Sequence, residues 1–504
     1  MKDHAVTLNT ALRQNCLKNP GKVFIRYRHR EITYEKIGWL VLGFSEFLKE
    51  LQVKKNDRIC LVLPRIPELV ITMLAASDMG ALCVPVNYTT EKPAVTAFIK
   101  HVCPKVTVVY EKLLHLVDLQ TFAGTIVVVE TDAKIKHEHI PWKSACYKKR
   151  GIVEARSNPN DLAYLNYTTG STSDPKGALA THANVYYNTL SAIEAFKITA
   201  DDTHLCMFAS FAHPHEIFCR ALFTGGTLAL LEEINPKTIA NTIMDDSITM
   251  MMGIAPLYDM LFSHCSGYNM SALRIAESGG MFTRAEISEG FKNSFGIPVL
   301  SVWGSTETSG IALANRPDDY RLDGSMGKPC PYYDIKVIEE DGREVTTGDT
   351  GEMVIQGPAV VAGYIDDNAE FLSDEDGFYK SGDLVRKDSD GFYHFIERKS
   401  GLLKVAGLKV YPLQLEIAIK QHPCIDEAAV IGIEDRSRGV VPAAFIVVKQ
   451  GCNLTAADLS QYMRSKFANY MIPRKVEFVS ELPKIGSGKI DKKRLKKLFE
   501  DGNI

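Results

Sequence analysis

Residues 167 to 177, YTTGSTSDPKG, set hydroxyls at Thr168, Thr169, Ser171, Thr172 and Ser173 around Gly170 and add one cation at Lys176. Phosphate oxygens need many convergent donors and some positive charge, so a loop of this kind can wrap a triphosphate. The same composition also describes a Ser/Thr-rich surface turn, and it does not satisfy the G-x-x-x-x-G-K-[ST] phosphate-loop pattern. In SVWGSTETSG, 301 to 310, Glu307 offers a hard oxygen ligand suited to Mg2+ beside a nucleotide, and Thr306 offers a hydroxyl for an α-phosphate. Asp383 follows Gly382 in YKSGDL, where a carboxylate can accept both hydroxyl protons of a ribose diol. Lys489, in the Gly-flanked GSGK, can bring a point charge into a cleft and offset charge at a reacting phosphate. Each of these has a plain alternative when taken alone: a solvated Glu, a solubilising Lys or, for Arg398, a surface ion pair.

Such groups must be held by a scaffold, and the sequence reads as α/β. Residues 57 to 87 give a short apolar strand, a helix opened after Pro64 and Pro67, and a second apolar strand after Gly80. Further strands are expected near 106–110, 126–129, 226–231 and 248–253, with a helix near 183–196; the phosphate-loop candidate lies between an apolar strand and that helix. Such alternation implies parallel sheets covered by helices. From about 324 the texture turns Gly-rich with short alternating strands, which predicts a small β subdomain. The last hundred or so residues predict a compact α+β domain, with a helix at 413–421 and strands at 428–433 and 443–448. No internal repeat is evident, and KKRLKK at 492–497 reads as a solvated helix face.

The chain has 504 residues, of which 45% are apolar and 24% charged, so a large core can be buried and two unequal domains are expected. A formal charge of −3 gives no global field for gathering polyanions, so nucleic acid is not an expected partner. The 11 cysteines include no C-x-x-C pair, which indicates neither a zinc knuckle nor a disulfide framework. No signal-peptide core and no membrane-length apolar run is present, and a reducing cytoplasm is the expected location.

The order of YTTGST, DPKG, SVWGSTETSG, YKSGDL, DGFYHFIERK (390–399), LLKVAGLKVYP (402–412) and PKIGSGKIDK (483–492) resembles the adenylate-forming superfamily of acyl-CoA synthetases, peptide-synthetase adenylation domains and luciferases. The resemblance runs over almost the whole chain. It implies a large domain, residues 1–398, of two α/β subdomains and a small β subdomain, and a small mobile α+β lid, residues 399–504. It further implies that Thr168, Thr169, Gly170, Ser171, Thr172 and Lys176 hold phosphates of ATP. Glu307 would hold Mg2+, Thr306 would touch the α-phosphate, and Trp303 would pack on adenine, with Gly279, Gly280 and Met281 against it. Asp383 would grip the ribose and Arg398 would reach the ribose and phosphate region. Lys489 would act in adenylation, with Lys399 and Ser400 at the hinge of the lid.

The acyl pocket reads less completely. FAHPHEIF, 211–218, matches the segment whose His borders the pocket and thiol tunnel, which selects His213 over His215; the two lack a third partner for a metal. Met252, Gly253 and Gly304 are assigned to the pocket wall and Gly407 to the thiol tunnel. Ala212 stands where peptide-synthetase domains for α-amino acids carry an Asp, which argues against an ammonium-bearing substrate. The implied activity is activation of a carboxylic acid to acyl-AMP, followed by thioester formation with coenzyme A. Alternatives are a free-standing enzyme that loads an acyl-carrier protein, a luciferase-type oxidation and a degenerate nucleotide-binding protein. Five positions depart from the family pattern: Ser173 and Glu397 replace common glycines, Ser400 and Gly401 replace hinge acids, and Val440 replaces a common Glu.

Overall fold

The computed structural model describes residues 4–118, 124–130, 139–146, 149–168, 176–365, 372–435, 439–484 and 490–502. The strand Arg58–Val62 is apolar and buried after its first residue, as a strand covered on both faces must be. Pro67 opens the helix Pro67–Met79, where its missing N–H costs nothing, and Gly80 ends it at φ +66. The chain returns as Leu82–Pro85, parallel to the first strand with Arg58 opposite Leu82. This is the β-α-β unit read from residues 57–87.

The chain divides into two compact units, one of Met1–Ile335, Ile355–Tyr379 and Gly391–Tyr393, the other of Lys336–Val354, Lys380–Asp390 and His394–Ile504. Within the first unit, Leu82–Pro85, Arg58–Val62, Val106–Tyr110 and Thr125–Val129 run parallel in an eight-stranded sheet, extended by Leu162–Thr168, Lys176–Thr181 and Tyr364–Ile365 at one side. Its core gathers Val62, Val84, Ile99, Val109 and Leu165. A nine-stranded sheet sets Thr227–Ala229, Thr203–Cys206, Met250–Gly253, Ile275–Ser278 and Val299–Ser305 side by side and parallel. Leu205, Met251, Tyr258, Ala276 and Phe291 form the core beneath it. The helix His182–Phe196 begins with a capping box, in which Thr181 Oγ1 accepts from the Asn184 N–H and Asn184 Oδ1 from the Thr181 N–H.

A four-stranded sheet, in the order Asp334–Ile338, Thr350–Gln356, Tyr379–Lys387 and Tyr393–Arg398, supplies the expected β subdomain. Most of its residues belong to the second unit. Beyond it, Ile425–Asp435 and Gly439–Val448 form a long antiparallel ladder, the first strand longer at both ends than the sequence predicts and the second longer at its start. The helix Pro412–Lys420 packs on it through Leu415 and Ile419. The basic helix Lys492–Glu500 buries Leu495 in a second small core and exposes most of its lysines, as an amphipathic surface helix should. Among the described residues no helix is long and apolar enough to cross a membrane.

Three core histidines make stability depend on pH. Burial holds His182 and His215 down to about 4 and His204 to about 3. Below pH 6.5 the unfolded chain takes up these protons and the folded chain does not, so stability falls as pH falls until the folded values are reached. Glu68, raised to about 7 by burial, acts the other way between about 4.5 and 7 and offsets one of the three. We expect the unfolding free energy from urea titrations, followed by tryptophan fluorescence, to drop from pH 6.5 to 4.5 with a net slope of about 2.7 kcal/mol per pH unit. His204→Gln should remove about half of that slope; an unchanged slope would show that His204 is not buried neutral.

Candidate active site

In open parallel sheets the carboxyl ends of the strands are where ligands are met. Gly253, Ser278 and Ser301 lie side by side at that edge of the nine-stranded sheet. Beyond Ser278 the chain turns through Gly279 and Gly280. A Cβ on Gly279 would stand 2.9 Å from Val302 Cγ2, and Gly280 takes φ +76, so neither position accepts an ordinary side chain without strain. Met281 follows on the same turn, which Ser278 Oγ and Thr283 Oγ1 tie together at 2.8 Å. Met252 is fully buried in its strand, and a Cβ on Gly253 would meet Leu257 at 2.8 Å.

The strand Val299–Ser305 carries half-buried Trp303, opposite Leu313 of the antiparallel strand Gly310–Ala314. A Cβ on Gly304 would fall 2.3 Å from the Gly310 carbonyl, so only glycine lets the two strands approach there. The hairpin turn holds Thr306 and Glu307 and is fixed from beneath: Thr308 Oγ1 donates to the Gly310 carbonyl at 2.7 Å, and Tyr333 Oη to the Thr308 carbonyl at 2.7 Å.

Glu307 accepts a hydrogen bond from the Tyr364 hydroxyl, and Lys176 Nζ stands 5.6 Å from the centre of the Tyr364 ring. A cation from the end of the phosphate-loop candidate and the carboxylate of the WGSTET segment thus converge on one phenol, which the sequence reading did not single out. Lys176 arrives on a strand, Lys176–Thr181, that pairs antiparallel with Leu162–Thr168, Tyr167 opposite Gly177. The sequence reading passes from the loop straight to the helix; KGALAT lacks the β-branched, alternating pattern by which short strands are recognised. Thr169, Gly170, Ser171, Thr172 and Ser173 lie outside the described residues, as does Lys489; Thr168 ends its strand.

His213 is half-buried at the start of the turn Pro214–Ile217. Burial lowers its proton affinity against the pull of Glu216 and Glu307, so it is near enough to Glu307 to feel its charge. His215 is fully buried; its Nδ1 meets Tyr164 Oη at 2.8 Å, and burial holds it at about 4. Behind both stands a triad missing from the sequence reading: Arg220, almost wholly buried, pairs with Glu216 at 2.9 Å and with Glu277 at 2.5 Å. Burial pushes Glu216 up but Arg220 and the two histidines bring it below the ordinary range, whereas burial prevails at Glu277 and raises it. The i,i+4 spacing of Glu216 and Arg220 was the available signal; nothing local pointed to Glu277.

In the second unit, Gly382 takes φ +72 and turns Asp383 inward, leaving it 1% exposed. Arg398 Nε lies 2.7 Å from Asp383 Oδ1, and Arg398 Nη1 donates to the Ser381 carbonyl at 3.2 Å. Lys399 pairs with Glu352 at 2.6 Å, and Ser400 is exposed in the single turn Lys399–Gly401. Glu397 accepts from the Arg398 N–H at 2.9 Å and from the Leu413 N–H at 2.8 Å, so it caps the helix Pro412–Lys420, whose own N-cap, Tyr411, makes no side-chain bond. Ala406 and Gly407, at φ +49 and +84, turn the hairpin between Leu403–Val405 and Leu408–Val410, as a type I′ turn requires. A Cβ on Gly407 would touch nothing within 4 Å.

The model of the AMP-binding enzyme family matches residues 12–365, and that of the AMP-binding enzyme C-terminal domain matches residues 414–489. The chain is 27% identical to the indoleacetate–CoA ligase of Aromatoleum aromaticum, over 95% of both chains. It is also 27% identical to the 2-succinylbenzoate–CoA ligase of Bacillus mycoides, over 98% of this chain and 99% of that one. Its fold matches the ATP-bound crystal structure of MatB from Rhodopseudomonas palustris with a TM-score of 0.87 at 24% identity, covering 98% of this chain and 99% of that one.

The departures at Glu397 and Gly401 are complementary. A Cβ on Gly401 would lie 3.0 Å from Glu397 Oε1, an oxygen held by the Arg398 N–H. Gly401→Ala should therefore destabilise the chain by about 1 kcal/mol when Glu397 is present. In a Glu397→Ala background the same change should be neutral or stabilising, because alanine orders the unfolded chain. A double-mutant cycle on thermal unfolding checks this; additive effects would show that the two positions do not interact.

Proposed function

The chain belongs to the AMP-binding enzyme family, and from that premise we propose that it is an AMP-forming acid–thiol ligase that converts a carboxylic acid, ATP and coenzyme A to an acyl-CoA, AMP and pyrophosphate. The observation that carries the reading is the convergence of Lys176, Tyr364 and Glu307 at the mouth of the hairpin, in which a cation and a carboxylate are prepared for a nucleotide's phosphates and their counter-ion. Relatives that span at least 95% of both chains are CoA ligases, which favours coenzyme A as the thiol over a carrier protein.

In the first step a carboxylate oxygen attacks the α-phosphorus and the bond to the β-phosphate oxygen breaks, giving acyl-AMP and pyrophosphate. Thr306 donates to the α-phosphate. Lys176 and the loop Thr168, Thr169, Gly170, Ser171 and Thr172 hold the outgoing phosphates, and Lys489 offsets charge as they leave. Trp303 and the backbone of Gly279, Gly280 and Met281 receive adenine; Asp383 accepts from the ribose diol, assisted by Arg398. Glu307 fits a Mg2+ site, since that ion takes one or two carboxylates and completes its shell with phosphate and water. Bound there, Mg2+ would neutralise phosphate charge.

In the second step the thiol sulfur attacks the acyl carbon and AMP leaves, with loss of the thiol proton. His213, Met252, Gly253 and Gly304 border the acyl pocket, and the open face of Gly407 admits the thiol arm. We place the boundary between body and lid at Arg398 and Lys399, with the exchange of poses turning on Lys399 and Ser400; the single turn Lys399–Gly401 after the strand Tyr393–Arg398 supports that pivot. Eleven free cysteines support a reducing cytoplasm as the place of action.

Labelled pyrophosphate should exchange into ATP only when an aryl or aliphatic acid is added, and α-amino acids should be inert because Ala212 offers their ammonium no charge. With coenzyme A present the products should be AMP and an acyl-CoA. Robust exchange with a proteinogenic amino acid would overturn the pocket assignment, and acylation of a carrier protein with coenzyme A inert would replace the acceptor.

Lys489→Ala should slow acyl-adenylate formation by about 10²-fold, the usual worth of charge offset at a reacting phosphate. Thioester formation from supplied acyl-adenylate and coenzyme A should stay close to the parent rate. Equal losses in the two half-reactions would sink the assignment of Lys489 to one pose.

A further inference from the structure

Two cysteines far apart in sequence meet at one corner of the second unit. Cys424 immediately precedes the strand Ile425–Asp435, and Lys449 immediately follows Gly439–Val448, with Ile425 opposite Val448. The Lys449 N–H donates to the Cys424 carbonyl at 2.9 Å and so extends the ladder by one pair. The chain then turns back, the Cys452 N–H donating to the Lys449 carbonyl at 3.1 Å with Gly451 at φ +84. A left-handed residue at the third position of such a turn favours glycine. The turn returns Cys452 to the side of Cys424. Their thiols share a hydrogen bond that, with some burial, holds the Cys424 thiol above its ordinary range, while Lys449 acts the other way.

Both thiols are partly exposed, as are those of Cys16 and Cys146. Cys60, Cys83, Cys206, Cys219, Cys265 and Cys330 are buried, and Cys16 and Cys146 donate to the Tyr34 and Leu40 carbonyls at 3.2 and 3.3 Å. Cys103 is exposed but lies in the first unit.

We propose that Cys424 and Cys452 are a redox-active pair that closes reversibly to an intramolecular disulfide by exchange with a small-molecule disulfide such as oxidised glutathione. One cysteine thiolate attacks a glutathione sulfur, forming a mixed disulfide and releasing one glutathione thiolate. The second cysteine thiolate then attacks the protein sulfur of that mixed disulfide, forming the Cys424–Cys452 bond and releasing the second. Two electrons pass to the glutathione disulfide, and the two thiol protons end on two glutathione molecules. The ladder already fixes the approach of the two backbones, so closure leaves the strand register unchanged. The link would fasten the open end of the hairpin and the segment leading to the helix Ala456–Arg464. Thiols paired in this way in a reducing compartment serve as sensors rather than as permanent staples.

The test uses the full-length protein, incubated with oxidised glutathione, alkylated with iodoacetamide, digested and mapped by mass spectrometry. The expected result is one cross-linked peptide joining Cys424 to Cys452, about 2 Da lighter than the two free-thiol peptides together, and lost after dithiothreitol. Cys424→Ser and Cys452→Ser, with circular dichroism spectra matching the parent, should lack it and should each retain a glutathione adduct on the remaining cysteine. Recovery of both cysteines alkylated in the parent, or both carrying separate stable glutathione adducts, overturns the proposal, as does a disulfide through Cys103 as the sole product. Pyrophosphate exchange is read separately, so failure here leaves the ligase assignment standing.

Discussion

A guanidinium withdrawn from water must be met by carboxylates, and Arg220, with 1% of its side chain exposed, is met by two. Glu216 belongs to the turn that carries His213 and His215; Glu277 belongs to the strand that delivers Gly279, Gly280 and Met281. Removing one partner of such a group typically costs about 3–5 kcal/mol, because the remaining charge is left buried and unmet. The histidine turn and the glycine turn therefore cannot drift apart independently. Tyr258 strengthens the tie by donating to the Met251 and Glu277 carbonyls at 3.0 and 2.7 Å, which locks the neighbouring strand Met250–Gly253 to the same frame.

This constraint explains why the chemistry-bearing segments can be glycine-rich without losing position. Gly279, Gly280, Gly304 and Gly310 let the backbone close on itself, but glycine supplies no packing of its own. Rigidity comes from beneath, through Arg220 and through Asn188, whose Nδ2 donates to the Ile311 carbonyl at 3.0 Å and to Tyr333 Oη at 2.9 Å. The edge of the sheet is thus built of small residues on a polar, fully buried foundation, an arrangement that favours precise placement over maximal stability.

Much of this was legible in the sequence because the signals were local. The strand Val106–Tyr110 and the helix His182–Phe196 declare themselves by apolar runs and periodicity, and the motifs around Glu307 and Asp383 by composition and order. What escaped depends on pairing at a distance. Lys176–Thr181 is a strand because Leu162–Thr168 and Tyr364–Ile365 flank it, not because its residues prefer one. Tyr364 reaches Glu307, Glu277 reaches Arg220 and Cys452 reaches Cys424 across separations that no window of residues spans. Glu397 and Gly401 are the instructive case: each alone departs from the family pattern, yet together they fit, the acid capping the helix Pro412–Lys420 and the glycine leaving it room.

The pairing of Asp383 with Arg398 has a consequence for the order of events. Asp383 is 1% exposed and could not remain charged there without a partner, whereas the Arg398 side chain is 58% exposed and loses little by turning to solvent. The two members of the pair therefore value it unequally. On the proposed site assignment, a ribose diol would bring Asp383 two hydroxyl donors and take over the carboxylate, releasing Arg398 toward phosphate oxygens that suit a guanidinium better. The buried acid is the fixed member of the pair, and the exposed base is the member that can move. On the proposed assignment of the pivot to Lys399 and Ser400, a release of Arg398 by nucleotide would act on the residues that directly follow it in the chain.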